Sequence, residues 1–232
     1  MRLDKYLSHA LLMSRKDVKK LVRSSQIKVN NIAIKDESFH IDENSDEILW
    51  NDERINYQQF VYYMLHKPKG VVSATKDNVY PTVLSLLEDQ RTDLFPIGRL
   101  DVDTTGLLII SNDGELAHCL LSPKYHKNKV YQVQLALPID QQQIDLLIQG
   151  VAYEDDNYKP ARVEVISERC IHLTIQEGKF HQVKRMMKAV GNEVIELSRI
   201  AFGELELDEA LKLGEYRELS LKEIECLKGK SN

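Results

Sequence analysis

Residues 98–123 read GRLDVDTTGLLIISNDGELAHCLLSP. The segment opens on two carboxylates, Asp101 and Asp103, and runs into an apolar strand at residues 107–110. Asp103, Thr104, Thr105 and Gly106 are good turn formers, so taken alone the segment is a turn feeding a buried strand. An Asp-x-Asp pair also raises a magnesium site; Arg99 beside it and the lack of further clustered acids speak against one. Strand-like runs lie on both sides: VYYML before it, and KVYQVQLAL, ARVEVIS, CIHLTIQ and NEVIELSRIAFG after it. The strands are too numerous and the helices too few for a regular βαβ repeat. The expected class is α+β, with a mixed, mostly antiparallel sheet and flanking helices.

Two later runs carry reactive side chains. In KNKVYQVQLAL, strand alternation puts Lys129, Tyr131, Val133 and Leu135 on one face, so Tyr131 points inward, as a core tyrosine does. In EGKFHQVKRMMKAVGNEV, Val183, Met186, Met187 and Val190 form a helical apolar stripe that Gly191 stops. Lys184, Arg185 and Lys188 group on another face. Such a face is ordinarily solvated, but a base on it can pair with a buried Asp and keep that acid ionised. The histidines offer little: His118 and Cys119 are helix neighbours that cannot face one metal together with His126. No metal site is expected, and the scattered glycines form no phosphate-binding loop.

Outward to the N-terminus, charge is patterned. Residues 1–30 carry a net charge of +6 and residues 31–60 a net charge of −6, within a total of −5. Such blocks cancel in the sum and still leave a basic face. Ser14 suits the N-cap of a helix beginning at Arg15, with Asp17 in its first turn. Val18, Leu21 and Val22 form the apolar stripe of that helix; Lys16, Lys19, Lys20 and Arg23 form a basic stripe opposite it. Leu3, Leu7, Ala10 and Leu11 suggest a partner helix. IKVNNIAIK is a short hairpin turning at Asn30-Asn31. The acidic residues 36–53 hold a last strand and a linker reaching about Tyr57, which gives a first domain at 1–57 and a second at 58–232.

The chain has 232 residues, 43% hydrophobic and 29% charged, enough to bury a core without disulfides. Cys119, Cys170 and Cys226 lie far apart, with no Cys-x-x-Cys pair, which excludes a zinc ribbon and fits a reducing compartment. There is no apolar run long enough to span a membrane and no secretory pattern at the start. A cytoplasmic protein is expected.

In combination these segments are specific. MRLDKYLSHALLMSRKDVKKLVRSSQIKVNN resembles the S4 RNA-binding domain, in which the second helix and the following loop lie on structured RNA. That resemblance assigns RNA contacts to Ser14, Arg15, Lys16, Lys19, Lys20 and Arg23. Contacts to phosphate position the protein and do not by themselves specify a target. Over essentially the whole chain, MLHKPKGVVSAT, GRLDVDTTGLLIISNDGELAHCLLSPKYHKNKVYQV and EGKFHQVKRMMKAVGNEVIELSRIAFGELELDEALKLGEYREL resemble the pseudouridine synthases of the RsuA type.

The resemblance implies an isomerase that turns uridine in structured rRNA into pseudouridine, with no cofactor and no metal. It makes Asp101 the essential carboxylate, Tyr131 the residue stacked on the uracil, and Lys184 the base paired with Asp101, with Arg185 as the fallback. Relatives outside this group carry Arg at that position. Arg99 intercalates or braces the flipped nucleotide. Lys67, Pro68 and Gly70 shape the pocket wall, or simply make a rigid turn; Lys67 and Arg185 are also expected as substrate or RNA contacts, and Thr104 and Thr105 as loop scaffolding. HQVKRMMKAVGNEVIEL resembles the small-subunit enzymes, which points to 16S rRNA, at uridine 516, or to a small-subunit assembly intermediate, and to a monomer with no membrane partner. The alternatives are a large-subunit 23S rRNA enzyme, a non-catalytic ribosome-associated RNA-binding protein, and a metal-dependent nuclease using the Asp-x-Asp pair.

Overall fold

The structure is a computed structural model that describes residues 1–232 except 44, 56, 123–126 and 230–232. The chain divides into two compact units, Met1–Phe60 and Val61–Asn232.

In the first unit, α1 (Leu3–Ala10) and α2 (Arg15–Arg23) pack on a four-stranded sheet. Its strands are β1 (Ile27–Val29), β2 (Ile32–Ala33), β3 (Ile48–Trp50) and β4 (Glu53–Arg54), in the order β2-β1-β3-β4. Ser14 caps α2: its Oγ accepts from the Asp17 backbone N–H, a contact that contributes about 1 kcal/mol. Leu3, Leu7, Val18 and Val22 are fully buried and close over Ile27 and Ile48. The β1–β2 hairpin turns at Asn30-Asn31, both left-handed at φ 50° and 65°, the geometry that matches the strand twist. A second turn of this kind, Asn51-Asp52, joins β3 to β4. Tyr57 packs edge-on against Tyr6 with centroids 5.0 Å apart, which holds the chain to this unit up to that point.

The acidic stretch does not simply lead away. Glu37 returns to α2 and pairs with Arg23 at 3.1 Å and Lys19 at 3.7 Å. Lys20 pairs with Asp17 at 3.3 Å. Arg15 and Lys16 are exposed and make no ion pair among the described residues.

The second unit is built on a mixed sheet. Its elements in chain order are β5 (Tyr62–Lys67), β6 (Phe95–Ile97), β7 (Thr105–Ser111), α3 (Gly114–Leu121), β8 (Lys129–Leu135), α4 (Gln141–Gln149), β9 (Val151–Tyr153), β10 (Asp156–Tyr158), β11 (Arg162–Ser167) and β12 (Cys170–Ile175). After these come α5 (Gln182–Ala189), β13 (Val194–Phe202), β14 (Leu205–Glu206), β15 (Tyr216–Glu218) and α6 (Leu221–Lys228). The main order is β11-β12-β8-β13-β7-β5-β15. The β13–β7 pair is parallel, and the other neighbours on that path are antiparallel.

Both faces of the sheet are covered. On one face Tyr63, Leu65, Leu108, Tyr131 and Val133 pack against Val183, Met186 and Met187 of α5. On the other, Tyr62, Met64, Leu107, Ile109 and Phe202 pack against Leu116 and Leu120 of α3 and Leu227 of α6. Burial on both sides explains why β5 and β7 are continuous apolar runs without alternation. No helix among the described residues is long and apolar enough to cross a membrane.

Two features of the 98–123 segment differ from expectation. The turn lies earlier: Thr104 N–H donates to Asp101 O at 3.1 Å, while Thr105 and Gly106 already belong to β7. Gly106 is therefore required by packing. It has φ +106°, and a Cβ there would run into the Arg199 backbone on the parallel neighbour β13. Side-chain pairing across a sheet tolerates bulk, but so close a backbone approach does not.

Candidate active site

Asp101 is placed by a buried ammonium. Lys67, the last residue of β5, is 0% exposed. Its Nζ donates to Asp101 O at 2.9 Å, Thr104 O at 2.9 Å and Pro68 O at 3.0 Å. Burial pushes this lysine down to about 8, although the Asp101 and Asp103 charges oppose the shift. The following loop adds further braces. Gly70 N–H donates to Val102 O at 2.8 Å. Ser73 Oγ donates to Leu100 O and accepts from Leu100 N–H, each at 3.1 Å. The HKPKGVVS stretch thus clamps the aspartate turn from behind. This corrects the expectation that Lys67 contacts RNA: a side chain with all three N–H directions spent on carbonyls and no exposed surface has nothing to offer a ligand.

Helix α5 brings the counter-charge. Lys184 Nζ lies 3.0 Å from Asp101 Oδ2 and 2.6 Å from Asp103 Oδ1. Burial alone would push the Asp103 carboxyl up, but the Lys184 hydrogen bond and charge outweigh it and hold the group below its usual range. Lys184 is likewise raised: burial works against its charge, and the two carboxylates more than restore it. Arg185, expected as fallback partner and as an RNA contact, turns to the β9–β10 hairpin. It pairs there with Asp156 at 2.7 Å and Glu154 at 3.6 Å. Its charge is spent within the protein, because adjacent helix residues point about 100° apart.

Tyr131 is 8% exposed on β8, between Leu173 of β12 and Arg199 of β13. It lines a small cleft of about 60 Å³ together with Asp101, Thr104, Val183 and His181. The Thr104 hydroxyl is buried without a hydrogen-bond partner among the described residues. Arg99, exposed, lines this cleft and a larger cavity of about 530 Å³ that also reaches Tyr131. On the other unit, Arg15, Lys16, Lys19, Lys20 and Arg23 are all exposed, while Ser14 is engaged with Asp17.

Two residues near the site, His181 and Arg199, escaped the sequence reading, and a third, Asp103, was read there only as part of a turn or of an Asp-x-Asp pair. His181 Nε2 lies 3.7 Å from Asp101 Oδ2, in a left-handed conformation at φ 51° just before α5. Arg199 is 2% exposed and lines the larger cavity. Asp103 shares Lys184 with Asp101. The clue to His181 was its place three residues before Lys184 in one motif; nothing in sequence signals its backbone conformation. No group of acids, histidines or cysteines suited to a metal occurs among the described residues, and His126 lies outside them.

A lysine-held carboxylate and a tyrosine thus line one cleft on this mixed sheet. Residues 61–189 match the RNA pseudouridylate synthase family, and residues 1–48 match the S4 domain. The chain belongs to the RNA pseudouridylate synthase family, in its RsuA-type branch. It is 46% identical to an uncharacterized RNA pseudouridine synthase of Bacillus subtilis, over 98% of each chain. It is 43% identical to the ribosomal small subunit pseudouridine synthase A of Vibrio cholerae, over 97% of this chain and 98% of that one. A crystal structure of a pseudouridylate synthase, 39% identical, superposes with a TM-score of 0.70 over 98% of this chain and 99% of the other.

Proposed function

We propose that this enzyme isomerises one uridine of small-subunit rRNA, at the position equivalent to uridine 516, with Asp101 as the catalytic carboxylate. The observation that supports it most is the Asp101–Lys184 pair at the mouth of a cleft walled by Tyr131. Relatives matching over nearly the whole chain carry the name of a small-subunit enzyme.

The reaction breaks the bond from ribose C1′ to uracil N1, turns the base, and joins C1′ to C5. The C5 proton leaves and N1 regains one, so atoms and electrons balance without a cofactor. Attack of a carboxylate on C1′ and removal of a ribose proton both require an ionised acid. Lys184 holds the Asp101 carboxylate by a hydrogen bond of 3.0 Å, and Lys67 fixes its backbone. Tyr131 offers a ring face to the freed uracil, and Arg99 braces the flipped nucleotide at the rim. The S4 unit docks an RNA stem through Arg15, Lys16, Lys19, Lys20 and Arg23, and the protein acts as a cytoplasmic monomer.

Tritium release from 16S and 23S transcripts labelled at uridine C5 tests this function, with the transcripts both naked and bound to ribosomal proteins. One equivalent released from 16S RNA, unaffected by chelator, is expected. Release from 23S RNA alone would move the target to the large subunit. RNA binding with no release would make this a non-catalytic RNA-binding protein, and chelator-sensitive strand cleavage would make it a nuclease.

A further inference from the structure

A cavity of about 530 Å³ adjoins the Tyr131 cleft, and its lining is rich in basic side chains. Arg99, Lys127, Lys129, Lys159 and Arg199 line it, and none of them makes an ion pair among the described residues. Lys179, also at the wall, pairs with Asp156 at 3.5 Å. Among the described residues its one lining carboxylate is Glu177, whose Oε2 accepts from the Lys159 backbone N–H at 3.0 Å and from Gln182 Nε2 at 3.3 Å, so the basic lining outnumbers it.

Arg199 is the most telling of these residues. It is 2% exposed, donates Nε to Leu107 O at 2.9 Å, and sits 5.2 Å from the centroid of the Phe202 ring. Lys129 Nζ lies 5.4 Å from the same ring. Burial, and then the Arg199 charge, push this lysine down to about 8. Arg199 is buried and Lys129 half-buried, neither has an ion-pair partner among the described residues, and an anionic ligand offsets their like charge. Leu120 and Leu121 add an apolar wall. The cavity and the Tyr131 cleft share Arg99, Tyr131, Gly178 and Lys179, and Arg199 is the register partner of Tyr131. An occupant here is therefore contiguous with whatever occupies the cleft.

We propose that this cavity is a second nucleotide subsite: the phosphodiester flanking the target uridine sits against Arg199 and Lys129, and the adjoining base lies along Leu121. The inference rests on the pseudouridine synthase reading and adds how the strand next to the target is held. A guanidinium and an ammonium over an apolar wall suit a phosphate and a base, and phosphate contacts fix register without reading sequence.

The test uses 16S RNA assembled by splinted ligation, with a neutral methylphosphonate at one linkage flanking the target. With wild type, one such linkage is expected to raise KM about tenfold, with kcat within about twofold. Lys129→Met is expected to raise KM similarly on unmodified RNA and to make the salt dependence shallower by about one charge. The two losses should not multiply when combined. Lys159→Ala, at an exposed position, repeats the test if Lys129→Met does not fold. Equal KM for every methylphosphonate, or losses that multiply, would overturn the subsite while leaving the activity intact. No product from wild type on unmodified RNA would instead overturn the pseudouridine synthase reading, and the subsite with it.

Discussion

Helices α2 and α5 are near twins in sequence. RKDVKKLVR and QVKRMMKA are both amphipathic, with cations spaced about one turn apart. Their cations meet different fates. On α2, Lys20 and Arg23 have side chains 70% and 67% exposed; Lys20 meets the half-exposed Asp17, and Arg23 reaches the mostly covered Glu37 with its own charge still at the surface. Exposed pairs of this kind contribute roughly 0–1 kcal/mol and open readily for another anion. On α5, Lys184 is 22% exposed and pinned between two carboxylates. The same residue type is a movable docking charge on one helix and a fixed electrostatic partner on the other. What separates them is the surface each helix covers, and spacing alone does not encode it.

The contrast breaks most completely at Asp101. Asp101→Ala should abolish pseudouridine formation while RNA affinity, measured by filter binding, stays within about twofold, because the docking charges lie on other residues. Next, Lys184→Ala should lower kcat about a hundredfold or more, as loss of a fixed electrostatic group at a reacting centre does. Lys184→Arg should recover part of it, whereas Arg185→Ala should cost far less. Equal losses for the two positions would dissolve the distinction between them.

On the α2 side, Lys19→Glu with Lys20→Glu should weaken RNA binding at least tenfold and flatten its salt dependence by about two charges, with kcat at saturation little changed. Unchanged affinity would remove this helix from RNA docking.

The smallest effect concerns acid stability. Arg217 grips Glu223 at 2.8 Å and Asp208 at 2.6 Å. The Arg217 hydrogen bond, opposed by burial, holds the Glu223 carboxyl down at about 2. A depressed carboxyl stabilises the fold above its unfolded value and loses that contribution as pH falls through the folded one. Unfolding midpoints of wild type should therefore drop between pH 4.5 and 2, and Glu223→Gln should flatten that drop while lowering stability near neutrality.

Much was legible in the sequence because it is local. Ser14 caps α2 through a residue three positions away, Asn30-Asn31 turns a hairpin by its own backbone preference, and Tyr131 turns inward by strand alternation. The missing parts depend on distant partners. Lys67 reads as a pocket-wall or RNA-contacting cation until three carbonyls from residues 68, 101 and 104 surround it. Gly106 reads as a turn residue until Arg199 passes behind it. The choice between Lys184 and Arg185 depends on a β9–β10 hairpin whose acids claim the arginine. His181 takes a left-handed conformation that no composition rule announces.

The most direct measurement is carbodiimide-labelled primer extension on unmodified 16S and 23S transcripts, with wild type and Asp101→Ala side by side. A single new stop on 16S RNA with wild type, and none with Asp101→Ala, is the expected result. The same stop made by Asp101→Ala would contradict the assignment of the Lys184-paired carboxylate as the catalytic group.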